Sequence, residues 1–311
     1  MASASRTAAL RESLGDSVVK LRAVVPEDAF TADLLGEERI GSGIVIASDG
    51  LVLTIGYLIT EASDVWLTLD QGREVAAHPL AYDQVTGFGL VVPLEPLGRP
   101  PLPLGDSTQL IAGSACQVVS SPDFAEPQPV RVLMRREFAG AWEYLLEDAI
   151  YTVPAHSHWS GAALVDEHGA LVGLGSLLVR EMVSGKETNA NMFVPTDLLK
   201  PILEDMATLG RASRPSRPWL GLYAVEIGGR VLVTGVADGS PAQRADLREG
   251  DIITHLSGEP VEALPAFYRA LWDLGPAGVL VRLALNRSNT RLDLEVRSVD
   301  RSEILKRPVR H

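Results

Sequence analysis

Cysteine is nearly missing from this chain: Cys116 is the only one in 311 residues. A lone thiol cannot close an internal disulfide, and no second thiolate is available for a structural zinc site. Its place in the apolar run Ala115 to Val119 reads as that of a buried, inert side chain. Aromatic residues are also scarce, at 5%, and none precedes Phe30. No apolar tract reaches the roughly 20 residues that a bilayer-spanning helix needs, because Gly and Pro interrupt the hydrophobic stretches every few positions. The stretch from Met1 to Val19 carries Arg6, Arg11, Glu12 and Asp16 and lacks an apolar secretory core. That predicts a cytoplasmic chain, with the reservation that a leader already removed leaves no trace. Basic charge is in deficit as well, 28 Lys and Arg against 40 Asp and Glu for a net charge of -12, which argues against nucleic acid as a partner. The one basic concentration, Arg211, Arg214 and Arg217 among Ser and Pro, reads as a solvated linker.

Against these absences stand 46% hydrophobic and 22% charged residues, the balance of a globular chain long enough for two domains. From Asp16 to about Met192 the apolar residues fall into short Val, Leu and Ile runs: Val18 to Val25, Gly43 to Ile46, Leu51 to Thr54, Val65 to Leu69, Gly89 to Val92, Ala115 to Val119, Val130 to Met134, Ala162 to Val165 and Leu171 to Leu178. Such spacing predicts an all-β barrel or sandwich. Asp49-Gly50, Gln71-Gly72 and Glu167-His168-Gly169 mark hairpin turns. A helix is predicted over Thr196 to Leu209, with Thr196 as its cap and Gly210 as its stop. Domain boundaries follow: 10–210, a linker at 211–218 with little to bury, and a second domain over 219–300. The second domain is predicted to hold strands at Arg230 to Val236, Asp251 to Leu256, Gly278 to Leu285 and Arg291 to Val296. It also has a short helix capped by Ser240 and another from Leu264 to Leu274, followed by a charged tail from Arg301 to His311.

Two sets of motifs carry a family resemblance. Trp219-Leu220-Gly221-Leu222, a strand, Gly239-Ser240-Pro241-Ala242 and Leu247-Arg248-Glu249-Gly250-Asp251-Ile252-Ile253 resemble a PDZ domain of the kind that follows the protease domain in the HtrA family. The resemblance implies that backbone N–H groups of Leu220, Gly221 and Leu222 receive a peptide's terminal carboxylate, with Leu264, Phe267 and Leu271 lining the apolar wall. Glycine permits close backbone approach to an anion, and an exposed strand edge accepts an added strand, so the physics agrees. Upstream, Gly41-Ser42-Gly43-Ile44-Val45-Ile46, Asp49-Gly50, Leu51-Val52-Leu53-Thr54 and Pro103-Leu104-Gly105-Asp106-Ser107 resemble the same family's trypsin-like double β-barrel. The implied fold is mostly β, a trypsin-like double β-barrel followed by a PDZ domain.

Set against the family's catalytic motifs, the chain departs at decisive positions. Tyr57 stands where the resemblance implies the histidine base, Gly87 where it implies the aspartate, and only Ser160 of the triad survives. A phenol with an ordinary pKa of about 10 is a poor base at neutral pH, and loss of the histidine alone costs about 10⁶ in turnover in a serine protease. The oxyanion hole would use the amides of His158 and Ser160, where His158 replaces a glycine and Trp159 adds bulk. Trp159 and Tyr57 are candidates to fill the vestigial cleft.

The sequence therefore predicts a catalytically inactive HtrA-like pseudoprotease that binds peptide or protein C-termini as scaffold, adaptor or regulator, with a homo-oligomer or an active relative as a further partner. The alternative is an active serine endopeptidase in which His156, His158 or His78 serves as a non-standard base for Ser160. A third reading, an assembly subunit with both domains structural, requires a blocked groove. No metal site and no cofactor are expected: His156 and His158 are the only close histidine pair, with Asp148 and Asp166 as ordinary turn or solvated carboxylates.

Overall fold

The computed structural model describes residues 14–183 and 185–306. The expected domain start at residue 10 and the end of the charged tail, 307–311, lie outside the described residues. Six strands open the fold: β1 (Val18–Val24), β2 (Glu38–Val45), β3 (Val52–Ile55), β4 (Asp64–Thr68), β5 (Glu74–Tyr82) and β6 (Phe88–Pro93), with the short helix α1 (Ala32–Leu35) between β1 and β2. They close into an antiparallel barrel in the order β1-β2-β3-β6-β5-β4, β1 pairing both β2 and β4. Alternation builds it: Leu21 and Ala23 of β1 and Leu67 of β4 are fully buried while their neighbours are partly exposed. A second six-stranded sheet follows, made of β7 (Ala115–Val119), β8 (Gln128–Gly140), β9 (Tyr144–Val153), β10 (Ala163–Val165), β11 (Leu171–Val183) and β12 (Lys186–Pro195). Its order is β10-β11-β12-β9-β8-β7, and Val118, Val130, Ile150, Leu164, Val172 and Phe193 form its core. The α2 helix (Leu203–Leu209) ends this part of the chain.

After it come β13 (Leu222–Glu226), β14 (Val231–Val236), α3 (Pro241–Arg244), β15 (Ile252–Leu256), β16 (Glu259–Pro260), α4 (Leu264–Asp273), β17 (Leu280–Arg287) and β18 (Thr290–Arg297). The sheet order is β13-β14-β15-β17-β18, which leaves one edge of β13 unpaired by the sheet itself. Phe267, Tyr268 and Leu271 of α4 are fully buried against this sheet's apolar face. Ser240 caps α3 through the Gln243 amide, and Gly210 ends α2 in the left-handed region, as their positions predict.

Several elements depart from the sequence reading. The helix expected over Thr196–Leu209 is broken: a 3₁₀ turn covers Thr196–Leu198 and α2 starts only at Leu203. Pro201 between them has no N–H for the helical ladder, and Thr196 does not cap but donates its hydroxyl to the Leu171 carbonyl at 3.1 Å. Strands β5, β9 and β12 were not anticipated. β5 contains Pro79, which the sheet accommodates by a register shift between Pro79 and Ala81, while β9 carries Glu147-Asp148 and β12 begins with the polar run Lys186 to Asn189. The described residues form two compact units: 14–136 group with Asp148–Ser213, and Glu137–Glu147, the tip of the hairpin between β8 and β9, groups with Arg214–Lys306.

One buried polar cluster secures the segment after β3. Arg39, buried on β2, donates to the carbonyls of Gly36, Tyr57, Thr60 and Thr31 and to the Thr31 hydroxyl. The Thr31 hydroxyl and the Phe30 and Thr31 amides in turn donate to Glu61. Truncating Arg39→Ala removes the guanidinium donors to these acceptors and the positive charge beside Glu61. Urea unfolding of the variant is expected to show a loss of about 3 kcal/mol or more, the usual cost of breaking a buried ionic network from one side.

Candidate functional site

The end of β3 turns into a 3₁₀ segment, Gly56–Leu58, which carries Tyr57. The Arg39 guanidinium holds this turn by its Tyr57 carbonyl at 2.8 Å. Opposite it, the loop between β9 and β10 carries Ser160, whose carbonyl accepts from the Ser42 amide at 2.9 Å. Gly161 makes that loop possible: its φ is +71°, and a Cβ there would stand 2.1 Å from the Ser42 carbonyl oxygen. The two segments meet through their side chains, the Tyr57 hydroxyl lying 2.8 Å from Ser160 Oγ and 2.9 Å from the Ser176 carbonyl oxygen.

One arrangement of protons satisfies both contacts. A carbonyl oxygen can only accept, so the phenol spends its proton on Ser176 and its oxygen accepts the Ser160 hydroxyl proton. Tyr57 as a residue is half-buried, but its hydroxyl is enclosed, and that burial pushes it up to about 12 against the opposing hydrogen bonds of the Ser160 and Trp159 side chains. At neutral pH about one phenol in 10⁵ is then ionised. Gly87, at the other supporting position, has a φ of +90° and uses its carbonyl to accept from the Gly56 amide at 2.7 Å. Asp83 on the same loop accepts from the amide and hydroxyl of Thr86 at 2.9 and 2.5 Å.

The loop leading to Ser160 is equally committed. The His158 amide donates to Nδ1 of His156 at 3.0 Å, which makes His156 an acceptor with its proton on Nε2. His156 is buried, its backbone is held on both sides by the Asn191 carboxamide, and burial lowers its pKa. The His158 ring stacks on Phe124, with centroids 4.9 Å apart, and Trp159 beside it is half-buried. His78 sits in β5 opposite Val92 of β6. Of the three histidines weighed as substitute bases, two serve this local scaffold and one lies within the first barrel. Cys116 is buried at 5% exposure, and burial pushes its thiol up to about 12. Among the described residues no group of three His, Cys, Asp or Glu side chains is placed to hold a metal ion.

The second region is the loop before β13. Gly221 has a φ of +80°, and a Cβ there would lie 2.2 Å from Ser240 Cβ, so only glycine fits. The amides of Leu220, Gly221 and Leu222 all point at one carboxylate. That carboxylate is the side chain of Glu143: Gly221 N lies 2.7 Å and Leu222 N 3.1 Å from Oε1, and Leu220 N is 3.1 Å from Oε2. Burial raises the Glu143 carboxyl to about 7, with the Leu220, Leu222 and Gly221 amides and Arg301 pulling it the other way. Leu264, Phe267 and Leu271 are buried members of the unit's core at 5%, 0% and 0% exposure, and Leu145 of the hairpin belongs to the same cluster. Glu143 was not anticipated. Its only local signal is a lone charge among the aromatics Phe138, Trp142 and Tyr144 at a strand-to-strand turn.

Comparison with known proteins agrees with this architecture. The trypsin-like peptidase domain family matches residues 41–174 and the PDZ domain family matches residues 218–297. Among curated relatives, the periplasmic pH-dependent serine endoprotease DegQ of Escherichia coli (strain K12) is 25% identical over 83% of this chain and 59% of its own length. The putative serine protease HhoA of Synechocystis sp. is 28% identical over 84% of this chain and 72% of its own. A probable periplasmic serine endoprotease, DegP-like, of Pseudomonas fluorescens is 26% identical over 83% and 56%. The chain thus spans less than two thirds of the length of several of these relatives. The solved HtrA-type protease AlgW with tripeptide has the same fold, with a TM-score of 0.56 at 20% identity over 97% of this chain and 98% of that one. The cytoplasmic placement expected from the N-terminal stretch is overturned by relatives named as periplasmic; the absence of a visible leader was no guide to compartment.

The state of Tyr57 has a pH signature. Its base form is the phenolate, so any Tyr57-dependent labelling of Ser160 by a serine-directed phosphonate should rise about tenfold per pH unit from about pH 6 to about pH 9 from a negligible start, without a plateau. Tyr57→Phe should abolish that slope. A plateau near neutrality in the wild-type protein would identify a different base.

Proposed function

We propose that this chain, an HtrA-like member of the trypsin-fold serine proteases with a PDZ domain following the protease-like domain, binds polypeptides without cutting them. In this reading the trypsin-like domain spans 10–210, its second sheet completing a double barrel, and a linker at 211–218 leads to the PDZ domain at 219–300. Tyr57, Gly87 and Ser160 are a vestigial triad, and His158 and Trp159 occupy a vestigial oxyanion region. Leu220, Gly221 and Leu222 are the carboxylate-receiving loop, with Leu264, Phe267 and Leu271 behind it. The partners are peptide or protein C-termini, and the role is that of scaffold, adaptor or regulator of an active relative. The names of the relatives support a periplasmic setting.

The observation that carries the reading is the hydrogen bond from Ser160 to Tyr57. A serine nucleophile must hand its proton to a base as it attacks. Here the acceptor is a neutral phenol whose own proton is engaged by the Ser176 carbonyl, and no carboxylate stands at Gly87 to stabilise a positive charge. The His158 amide, spent on His156, is a second obstacle, since loss of one oxyanion donor costs about 10² to 10³ in turnover.

Unfolded casein tests the reading. Hydrolysis should stay at background and be unchanged by Ser160→Ala; turnover that disappears with Ser160→Ala would establish the endopeptidase alternative. Restoring Tyr57→His together with Gly87→Asp should not recover a family-like rate, because the new aspartate must adopt a φ of +90° and the His158 amide remains engaged. The same casein assay measures this.

A further inference from the structure

The loop that should receive a polypeptide's C-terminus already has a carboxylate on it, and the match extends beyond that one group. Glu143 Oε1 accepts from Gly221 and Leu222, and Oε2 from Leu220. Two residues before Glu143, the Ala141 carbonyl accepts from the Ala224 amide at 2.9 Å, two residues beyond Leu222. Backbone pairing along the open edge of β13 with a carboxylate on the loop at its start is the pattern of an added peptide strand. The apolar side is also occupied: Leu145 is buried at 6% exposure in the cluster that contains Leu264, Phe267 and Leu271.

The hairpin tip is tied down on its other side. Tyr268 of α4 donates its hydroxyl to the Gly140 carbonyl at 2.8 Å and accepts from the Glu143 amide at 3.3 Å. Arg269 of the same helix pairs with Glu137. Trp142 stacks on Tyr144 with centroids 5.8 Å apart, and Phe138 packs at an angle against both, which stiffens the tip. Glu143 itself has a φ of +57°, a left-handed conformation that a non-glycine residue adopts at a cost and that these contacts sustain.

We propose that Ala141-Trp142-Glu143 is the groove's resident ligand, held in cis, and that a polypeptide C-terminus enters only by displacing it, its terminal carboxylate taking the place of the Glu143 side chain. The displacement half rests on the peptide-binding reading above; the resident ligand does not. A tethered segment competes at an effective concentration on the order of millimolar, so an incoming peptide must overcome it before any affinity is observed. The PDZ-like groove is therefore a gated site, whose occupancy depends on the hairpin between β8 and β9 as much as on the peptide.

Two measurements on the full chain separate the halves. Amide hydrogen exchange reads the resident ligand directly: Glu143→Ala should speed exchange at Leu220, Gly221, Leu222 and Ala224 at least tenfold, while amides shared by β17 and β18 keep their protection as the control for folding. Glu143→Gln, which keeps the side-chain length, should give an intermediate effect. Unchanged exchange at the loop in Glu143→Ala overturns the proposal. Fluorescence anisotropy with a labelled decapeptide ending in leucine, as free acid and as amide, reads displacement. The free acid should bind Glu143→Ala at least tenfold more tightly than wild type, and the amide should gain much less. Equal binding of the free acid to both proteins overturns the gate while leaving peptide recognition standing. Faster loop exchange in Glu143→Ala with no peptide binding to either protein supports the resident ligand and overturns peptide recognition.

Discussion

The phenol of Tyr57 has one proton, and the Ser176 carbonyl 2.9 Å away can only accept it. From that constraint the rest of the Ser160 region follows. The phenolic oxygen is left as an acceptor, Ser160 becomes a donor to it, and burial of the hydroxyl opposes the ionisation that would reverse the roles. The surrounding backbone is arranged around this pair: Arg39 holds the Tyr57 carbonyl, Ser42 holds the Ser160 carbonyl, and Gly161 admits the close approach between the loop and β2. The Tyr57–Ser160 region is a set of satisfied hydrogen bonds.

The loop before β13 shows the same economy of polar groups. Three successive amides turned toward one point would be costly to bury without an acceptor. Glu143 provides one, and the hairpin that carries it contributes a backbone acceptor and an apolar side chain to the same unit. Amides arranged in this way receive a carboxylate that the chain itself delivers at the right register.

Much of the architecture was readable from residue patterns. The turns at Asp49-Gly50, Gln71-Gly72 and Glu167-His168-Gly169 each join antiparallel strands, since glycine and small polar residues supply the left-handed angles that tight turns require. The α4 helix was visible in its apolar spacing, and the Ser240 cap in its position before Pro241. What escaped was decided by neighbours. β5 tolerates Pro79 because a bulge beside it relieves the missing donor, and the helix expected from Thr196 starts only at Leu203, since Pro201 has no N–H for the ladder and Thr196 bonds to Leu171 of a distant strand. The compartment was misread for a different reason: the composition of residues 1–19 does not report where a protein resides.

Residue identity alone determined which chemical groups positions 57, 87 and 160 carry, a phenol, a bare glycine and a serine, because those identities do not depend on how the chain folds. It also placed a glycine, free to adopt the left-handed region, at the centre of the Leu220 to Leu222 loop. Tertiary structure decided where each proton goes and what the amides meet. The direction of the Tyr57–Ser160 bond depends on a carbonyl more than a hundred residues away in sequence from Tyr57, at Ser176. The carboxylate on the loop comes from Glu143, at a sequence separation of 78 from Gly221. Hydrogen bonds are short-range and directional, so partners this far apart along the chain are chosen only when the fold has brought them within 3 Å.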